Sequence, residues 1–170
     1  AEAADFIELL PIPENNFWKK FDRFDKPVTI HAPHQLFGFN PADRDNKQNK
    51  RCIETALDAA DYFESDVIVV HPGNWEQNKS RHEAISESLR FLKKFNEPRF
   101  YIENLPLLDS IICNVPEEVE QFVKNLSCKF CFDFGHAAIT AFKMGVDIKQ
   151  IMNRFNQLNP KYYHICGIKF

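Results

Sequence analysis

Glycine is scarce, at 5 of 170 residues, and the sequence holds no Gly-rich phosphate loop of the Walker or dinucleotide-binding type. A serine elbow is missing, and so is a Cys–His pair in a nucleophile context. Long hydrophobic runs are missing too. The longest, residues 67–70 and 105–108, fall far short of the ~20 residues of a membrane span, so no membrane partner is expected. The N-terminal stretch carries Glu2, Asp5 and Glu8 with no basic region, which is not the pattern of a signal peptide. Charge excess is small, with 21 basic against 24 acidic residues and a net charge of −3, so nothing global draws the chain to nucleic acid or an acidic surface. Cys52, Cys113, Cys128, Cys131 and Cys166 are odd in number and irregular in spacing. They read as reduced, mostly buried thiols, and the expected compartment is the cytoplasm.

What is abundant is phenylalanine, with 17 residues. That predicts a large aromatic core or, alternatively, a cavity with aromatic walls. At 44% hydrophobic and 26% charged, the chain reads as one globular domain over residues 1–170.

Short apolar runs alternate with amphipathic stretches. Strands are expected at 6–10, 28–32, 67–70, 100–103, 130–133 and 162–165. Asn40 is expected to cap a helix with Pro41 in its first turn, leading into Ile53, Ala56, Leu57, Ala60 and Phe63 at helical spacing. Further helices carry Ile85, Leu89 and Leu92; then Val119, Phe122, Val123 and Leu126; then residues 136–143; then Ile148, Ile151, Met152 and Phe155 behind the cap Asp147. Residues 18–24, with basic and aromatic side chains interleaved, read as an amphipathic helix. Strands alternating with helices imply an α/β fold with a parallel sheet.

Five consecutive strands end on residue types that bind metals: His31, His71, Glu103, Asp133 and His164, 40, 32, 30 and 31 residues apart. In a parallel α/β sheet or barrel the strand C-termini share one face, and that face holds the site. A lone histidine at a strand end is ordinarily structural, and a lone Asp there ordinarily caps a helix. Five in succession point to a shared metal site, with His136 on the adjoining segment as a sixth member. Imidazole with carboxylate suits zinc or manganese, with magnesium as a further candidate. His34 and Trp75 lie near these turns and are candidate substrate contacts. Cys131 and Cys166, two residues from Asp133 and His164, read as interior packing, as does the Cys128-x-x-Cys131 pair.

The segments Ile30-His31-Ala32-Pro33-His34, Val70-His71-Pro72-Gly73, Tyr101-Ile102-Glu103-Asn104, Cys131-Phe132-Asp133-Phe134-Gly135-His136 and Tyr163-His164, in this order, resemble the endonuclease IV / xylose isomerase-like superfamily. The resemblance implies a TIM (β/α)8-type barrel, incomplete in this chain, with about strands two to seven visible in what reads as a fragment. It implies that His31 and His71 bind one ion, that Glu103 bridges to a second held by Asp133 and His164, and that His136 belongs to a third. For isomerase and epimerase relatives it implies one manganese or magnesium on Glu103, Asp133 and His164. In place of the Gly-rich stretch of endonuclease IV proper stands Asn104-Leu105-Pro106-Leu107-Leu108.

Three functions follow. One is a multinuclear metal-dependent hydrolase of a phosphodiester or phosphoester, acting on a small sugar or phosphoester substrate or on damaged DNA. The second is a sugar or sugar-phosphate isomerase or epimerase with Glu103 as the catalytic base. The third is a barrel that keeps its ligands without turnover.

Overall fold

A computed structural model describes residues 4–75 and 79–165. Six strands form one parallel sheet in the order of the chain: β1 (Ile7–Leu9), β2 (Val28–His31), β3 (Ile68–Val70), β4 (Phe100–Glu103), β5 (Lys129–Asp133) and β6 (Tyr162–His164). The connections carry a 3-10 turn at Phe17–Phe24, then α1 (Gln48–Tyr62), α2 (Arg81–Leu92), α3 (Pro116–Leu126), α4 (Phe134–Met144) and α5 (Ile148–Asn156). All six expected strands are present, with helices in the connections between β2 and β6, so the architecture is that of an incomplete TIM barrel.

The sheet is strongly curled. Six strands laid flat at about 4.8 Å spacing put the first and last roughly 24 Å apart. Yet Tyr162 Oη on β6 lies 3.0 Å from Glu8 Oε2 on β1, and 2.9 Å from Thr29 Oγ1 on β2. Only a sheet closing on itself brings inward-facing side chains of its two ends together.

Alternation along each strand sorts residues to two faces. Ile30, Ile68, Val70, Phe100, Ile102, Phe130 and Phe132 face the helices and are buried with Ile53, Ala56, Ala60, Ile85, Phe122, Ile151 and Phe155. The abundant phenylalanines therefore fill the layer between sheet and helices, with Phe132 stacked on Phe130 and packed at a tilt against Phe134 and Phe155. Each such ring contributes roughly 1.5–3 kcal/mol by leaving water. The concave face carries a smaller cluster of Val69, Tyr101 and Cys131, with Val67 and Tyr162 against it.

Local signals explain most boundaries. Ser80 and Glu83 form a capping box on α2. Pro116 opens α3, where its missing N–H is no loss. Asp147 caps α5 by accepting from the N–H groups of Lys149 and Gln150.

Three local expectations are corrected. Asn40 does not start a helix: residues 41–47 form turns and α1 begins at Gln48. The Asn40 side chain instead accepts from the backbone of Ala42 and, across the mouth, of Asn74. The buried Asn49 ties down the same turn, accepting from Asn40 N–H and donating to the carbonyls of Asn40 and Asp43. Residues 18–24 make a 3-10 segment with Trp18 buried, not a regular α-helix in the solvent. Ile148, at the first turn of α5, is exposed, because the inward stripe there is Ile151 and Phe155. Cys166 lies outside the described residues. Among the described residues no helix is long and apolar enough to cross a membrane.

Candidate metal centre at the strand ends

The strand ends converge on one buried carboxylate. Glu103 closes β4, is 1% exposed, and presents its two oxygens to different partners. Oε2 lies 3.0 Å from His71 Nε2 and 3.3 Å from His31 Nε2. Oε1 lies 3.2 Å from His164 Nδ1 and 3.3 Å from His136 Nδ1. His31 closes β2, His71 follows β3 directly, His164 closes β6, and His136 sits in the first turn of α4. The sheet register puts Glu103 beside Cys131, and Asp133 beside His164, on the concave face.

Asp133 has a structural role as well. It ends β5 and at once caps α4, its Oδ1 accepting from His136 N–H at 2.6 Å. Its backbone exchanges two buried hydrogen bonds with the side chain of Asn104: Asn104 Nδ2 donates to Asp133 O at 3.0 Å, and Asp133 N–H donates to Asn104 Oδ1 at 2.8 Å. Asn104 thereby clamps the ends of β4 and β5 and sets the spacing of Glu103 and Asp133.

Backbone carbonyls fix two ring orientations. A carbonyl only accepts, so the 2.7 Å contact of His31 Nδ1 with Ala32 O makes that nitrogen the donor and leaves Nε2 toward Glu103. The 2.9 Å contact of His136 Nδ1 with Asn104 O likewise leaves His136 Nε2 without the proton in the neutral ring.

The electrostatics follow. Burial alone raises the Glu103 pKa, but the surrounding imidazoles, His71 foremost, reverse this and hold it well below the usual carboxylate range. Burial lowers His31 and His136, yet the hydrogen bonds and charge of Glu103 carry both above the usual imidazole value. His164 is raised despite burial by Cys131, Glu103 and Glu8. His71 is lowered because burial outweighs the effect of Glu103. Burial, then the neighbouring His71 and His31, push His34 down to about 4.

Among the described residues three overlapping donor groups result, each with one ligand atom per residue and all such atoms within 4.8 Å of one another: His31 with His71 and Glu103; Glu103 with Cys131 and His164; Glu103 with Asp133 and His136. The nitrogen–carboxylate chemistry fits a divalent ion. Asp133 is grouped with His136, while the side of Glu103 facing His164 also meets the Cys131 thiol. Cys131 is thus both interior packing, as expected, and a neighbour of the donors. Burial raises that thiol to about 12.

The two candidate substrate contacts differ. His34 stands beside the cluster, its ring 5.3 Å from His71 and 5.9 Å from His31, and its Nδ1 is buried with no hydrogen-bond partner among the described residues. Trp75 packs against the hydrophobic core and lies under the Arg81 guanidinium at 4.9 Å. Sequence reading missed Glu8, whose Oε2 is 3.0 Å from His164 Nε2. The available signal was alternation: Glu8 is in register with Thr29, and Thr29 shares the concave face with His31.

Curled parallel strands with histidines and carboxylates gathered at their C-terminal ends define an incomplete α/β barrel with a candidate metal site at its mouth. The chain belongs to the xylose isomerase-like TIM barrel family, whose model matches residues 3–170. It is 28% identical over 131 residues to an uncharacterised protein of Methanocaldococcus jannaschii, covering 68% of this chain and 44% of that one. Endonuclease IV from Thermus thermophilus superposes with a TM-score of 0.56 at 18% identity, over 78% of this chain and 48% of that one. D-allulose 3-epimerase from Methylomonas superposes at 0.67 and 10% identity, over 96% and 73%. The IolI protein, solved with a zinc atom bound, superposes at 0.64 and 16% identity, over 96% and 63%. These structural likenesses establish the fold. The chain spans about half the length of the M. jannaschii protein and of the Thermus enzyme.

Proposed function

We propose that this chain carries the metal-holding strands of a divalent-metal-dependent hydrolase acting on a phosphodiester or phosphoester, with Glu103 bridging two ions. The observation that carries this reading is the division of the Glu103 carboxylate, with Oε2 toward His31 and His71 and Oε1 toward His164 and His136. A carboxylate serving a single ion has no need of imidazole pairs on both oxygens. A bridging one does, and paired ions suit phosphoryl chemistry.

In this proposal His31 and His71 hold one ion, Asp133 and His164 the second with Glu103 shared, and His136 a third. Bound ions supply Lewis acidity at the phosphoryl oxygens and bring the pKa of a water toward ~7. The chain's own residues do the rest. Glu103 supplies the buried negative charge that keeps the cations in place. The carbonyl of Ala32 fixes the ring of His31, so its free Nε2 faces Glu103 before any ligand arrives, and the carbonyl of Asn104 holds His136 Nδ1 beside Glu103 Oε1. His34, kept neutral by burial, offers a ring nitrogen to substrate beside His71. Trp75 lines a neighbouring surface pocket with Arg81, Leu107 and Leu108. Zinc or manganese suits the donor set, and the zinc found in the structurally similar IolI protein supports the former.

The test is hydrolysis of bis(4-nitrophenyl) phosphate and of an oligonucleotide with one abasic site, by protein reconstituted with zinc or manganese. The proposal expects turnover that Glu103→Gln abolishes. Isomerisation or epimerisation of a sugar or sugar phosphate with one ion per chain, and no hydrolysis, would replace it with the proton-transfer reading in which Glu103 is the base.

A further inference from the structure

His164 is held from both sides, and only one of them belongs to the donor cluster. Its Nδ1 faces Glu103 Oε1 at 3.2 Å, and its Nε2 faces Glu8 Oε2 at 3.0 Å. Glu8 is in none of the three groups of potential ligand atoms. It is fixed in turn by Tyr162 Oη, which donates to the same Oε2 at 3.0 Å and lies 2.9 Å from Thr29 Oγ1. The chain of contacts Thr29–Tyr162–Glu8–His164 therefore spans the open side of the sheet, from β2 through β6 to β1, and ends on a proposed ligand.

We propose that Glu8 is a positioning residue for the ion on the His164 side of Glu103: it accepts the Nε2 proton of His164, so the imidazole keeps its Nδ1 deprotonated and aimed at the ion. The inference rests on the proposed two-ion site and adds to it a residue that touches no ion. The physics is that of a carboxylate behind a metal-bound histidine. It selects one tautomer, locks the ring plane and makes the ligating nitrogen more basic. The other histidines are oriented differently: carbonyl oxygens take the Nδ1 protons of His31 and His136. Among the described residues only His164 has a carboxylate outside the donor groups on its second nitrogen, so removing the Glu8 charge acts on one ion and spares the other. Tyr162 and Thr29 keep Glu8 from swinging away, because the hydroxyl of Tyr162 occupies the same oxygen that His164 uses.

The test is zinc titration of wild type, Glu8→Gln, Glu8→Ala and Tyr162→Phe against a competing chelator, with side-chain nitrogen NMR of His164 in the zinc-loaded protein. In wild type the expected spectrum has a protonated Nε2 and a metal-shifted Nδ1. The amide oxygen of Glu8→Gln still accepts the Nε2 proton, so that variant keeps the tautomer but loses the charge. Glu8→Ala loses both. Expected affinities for one of the ions fall in the order wild type, Gln, Ala, spanning about 10–100-fold, while the His31/His71 ion is held as tightly as before. A merely structural role for Glu8 would weaken both ions together and would leave the Gln variant no different from Ala. Wild-type affinity for both ions in Glu8→Ala, with an unaltered His164 tautomer, would overturn the assignment and leave the two-ion site standing. A wild-type protein that binds no ion would overturn the site itself and this inference with it.

Discussion

The Nε2 atom of His71 lies 3.0 Å from Oε2 of Glu103, a carboxylate that is almost wholly buried, and the His71 side chain is itself only 12% exposed. A carboxylate kept ionised in such a place needs cations or donors around it, and the surrounding side chains that serve are imidazoles. A histidine cage around one buried carboxylate is a poor way to stabilise a fold and a good way to receive divalent ions.

Replacing His71 by alanine removes one ligand from the Oε2 side. One ion per chain should be lost while the ion on the His164 side remains, as read by elemental analysis after dialysis. Unchanged metal content in His71→Ala would remove the His31/His71 site from the account.

Glu103→Gln takes the shared charge from both sides. Both ions should bind more weakly, and turnover should fall at least about 100-fold. Full activity in this variant would contradict the hydrolase and the proton-transfer readings alike.

Asn104→Ala breaks the clamp between β4 and β5. Two buried hydrogen bonds to the backbone of Asp133 are lost, at roughly 0.5–1.5 kcal/mol each. Chemical denaturation of the metal-free protein should show a loss of about 1–3 kcal/mol. A stability equal to wild type would mean that the strand ends are held by something other than this side chain.

Gly73 follows His71-Pro72 with φ near +106°, and a Cβ there would come within 2.5 Å of Asn40 Oδ1 and 3.0 Å of Pro41 Cδ. Gly73→Ala should therefore cost at least about 1–3 kcal/mol of backbone strain and push the His71 turn from the Asn40 turn. Lower thermal stability together with weaker metal binding is the expected pair of results. A neutral variant would show the turn to be more compliant than its contacts indicate.

Metal affinity should rise with pH. His31, His136 and His164 have raised pKa values in the metal-free site, so near neutrality an incoming ion must displace their protons. The sign is opposite for the metal-free fold. Histidines with raised pKa contribute stability that is fully present below the unfolded value near 6.5 and lost as pH rises through the folded values, while His34 and His71, which are lowered, act in the opposite sense and offset part of this. Zinc titration at pH 6 and pH 8 should give tighter binding at the higher pH, and melting of the chelated protein should give the lower midpoint there. Affinity independent of pH would mean that the rings are already neutral.

Much of this was legible in the sequence because strand ends repeat. His31, His71, Glu103, Asp133 and His164 close successive units, and any parallel sheet brings such positions to one face. The helix faces at Val119 and Phe122, and at Ile151 and Phe155, follow from spacing. What was not legible depends on partners far along the chain. Glu8 looks like a surface acid near the N-terminus until the sheet curls and sets it against His164, 156 residues away. Asn40 has every local mark of a helix cap, but Asn49 and Asn74 claim its polar groups first. Asn104 sits in a run of apolar residues whose only sign of function is being polar, and its role needs Asp133 beside it.

The most direct test of the central claim is the number of divalent ions per chain in protein purified without chelator, by elemental analysis against an accurate protein concentration. A Glu103 that bridges predicts at least two zinc or manganese ions per chain, falling in Glu103→Gln. One ion, or none, in folded protein would contradict it.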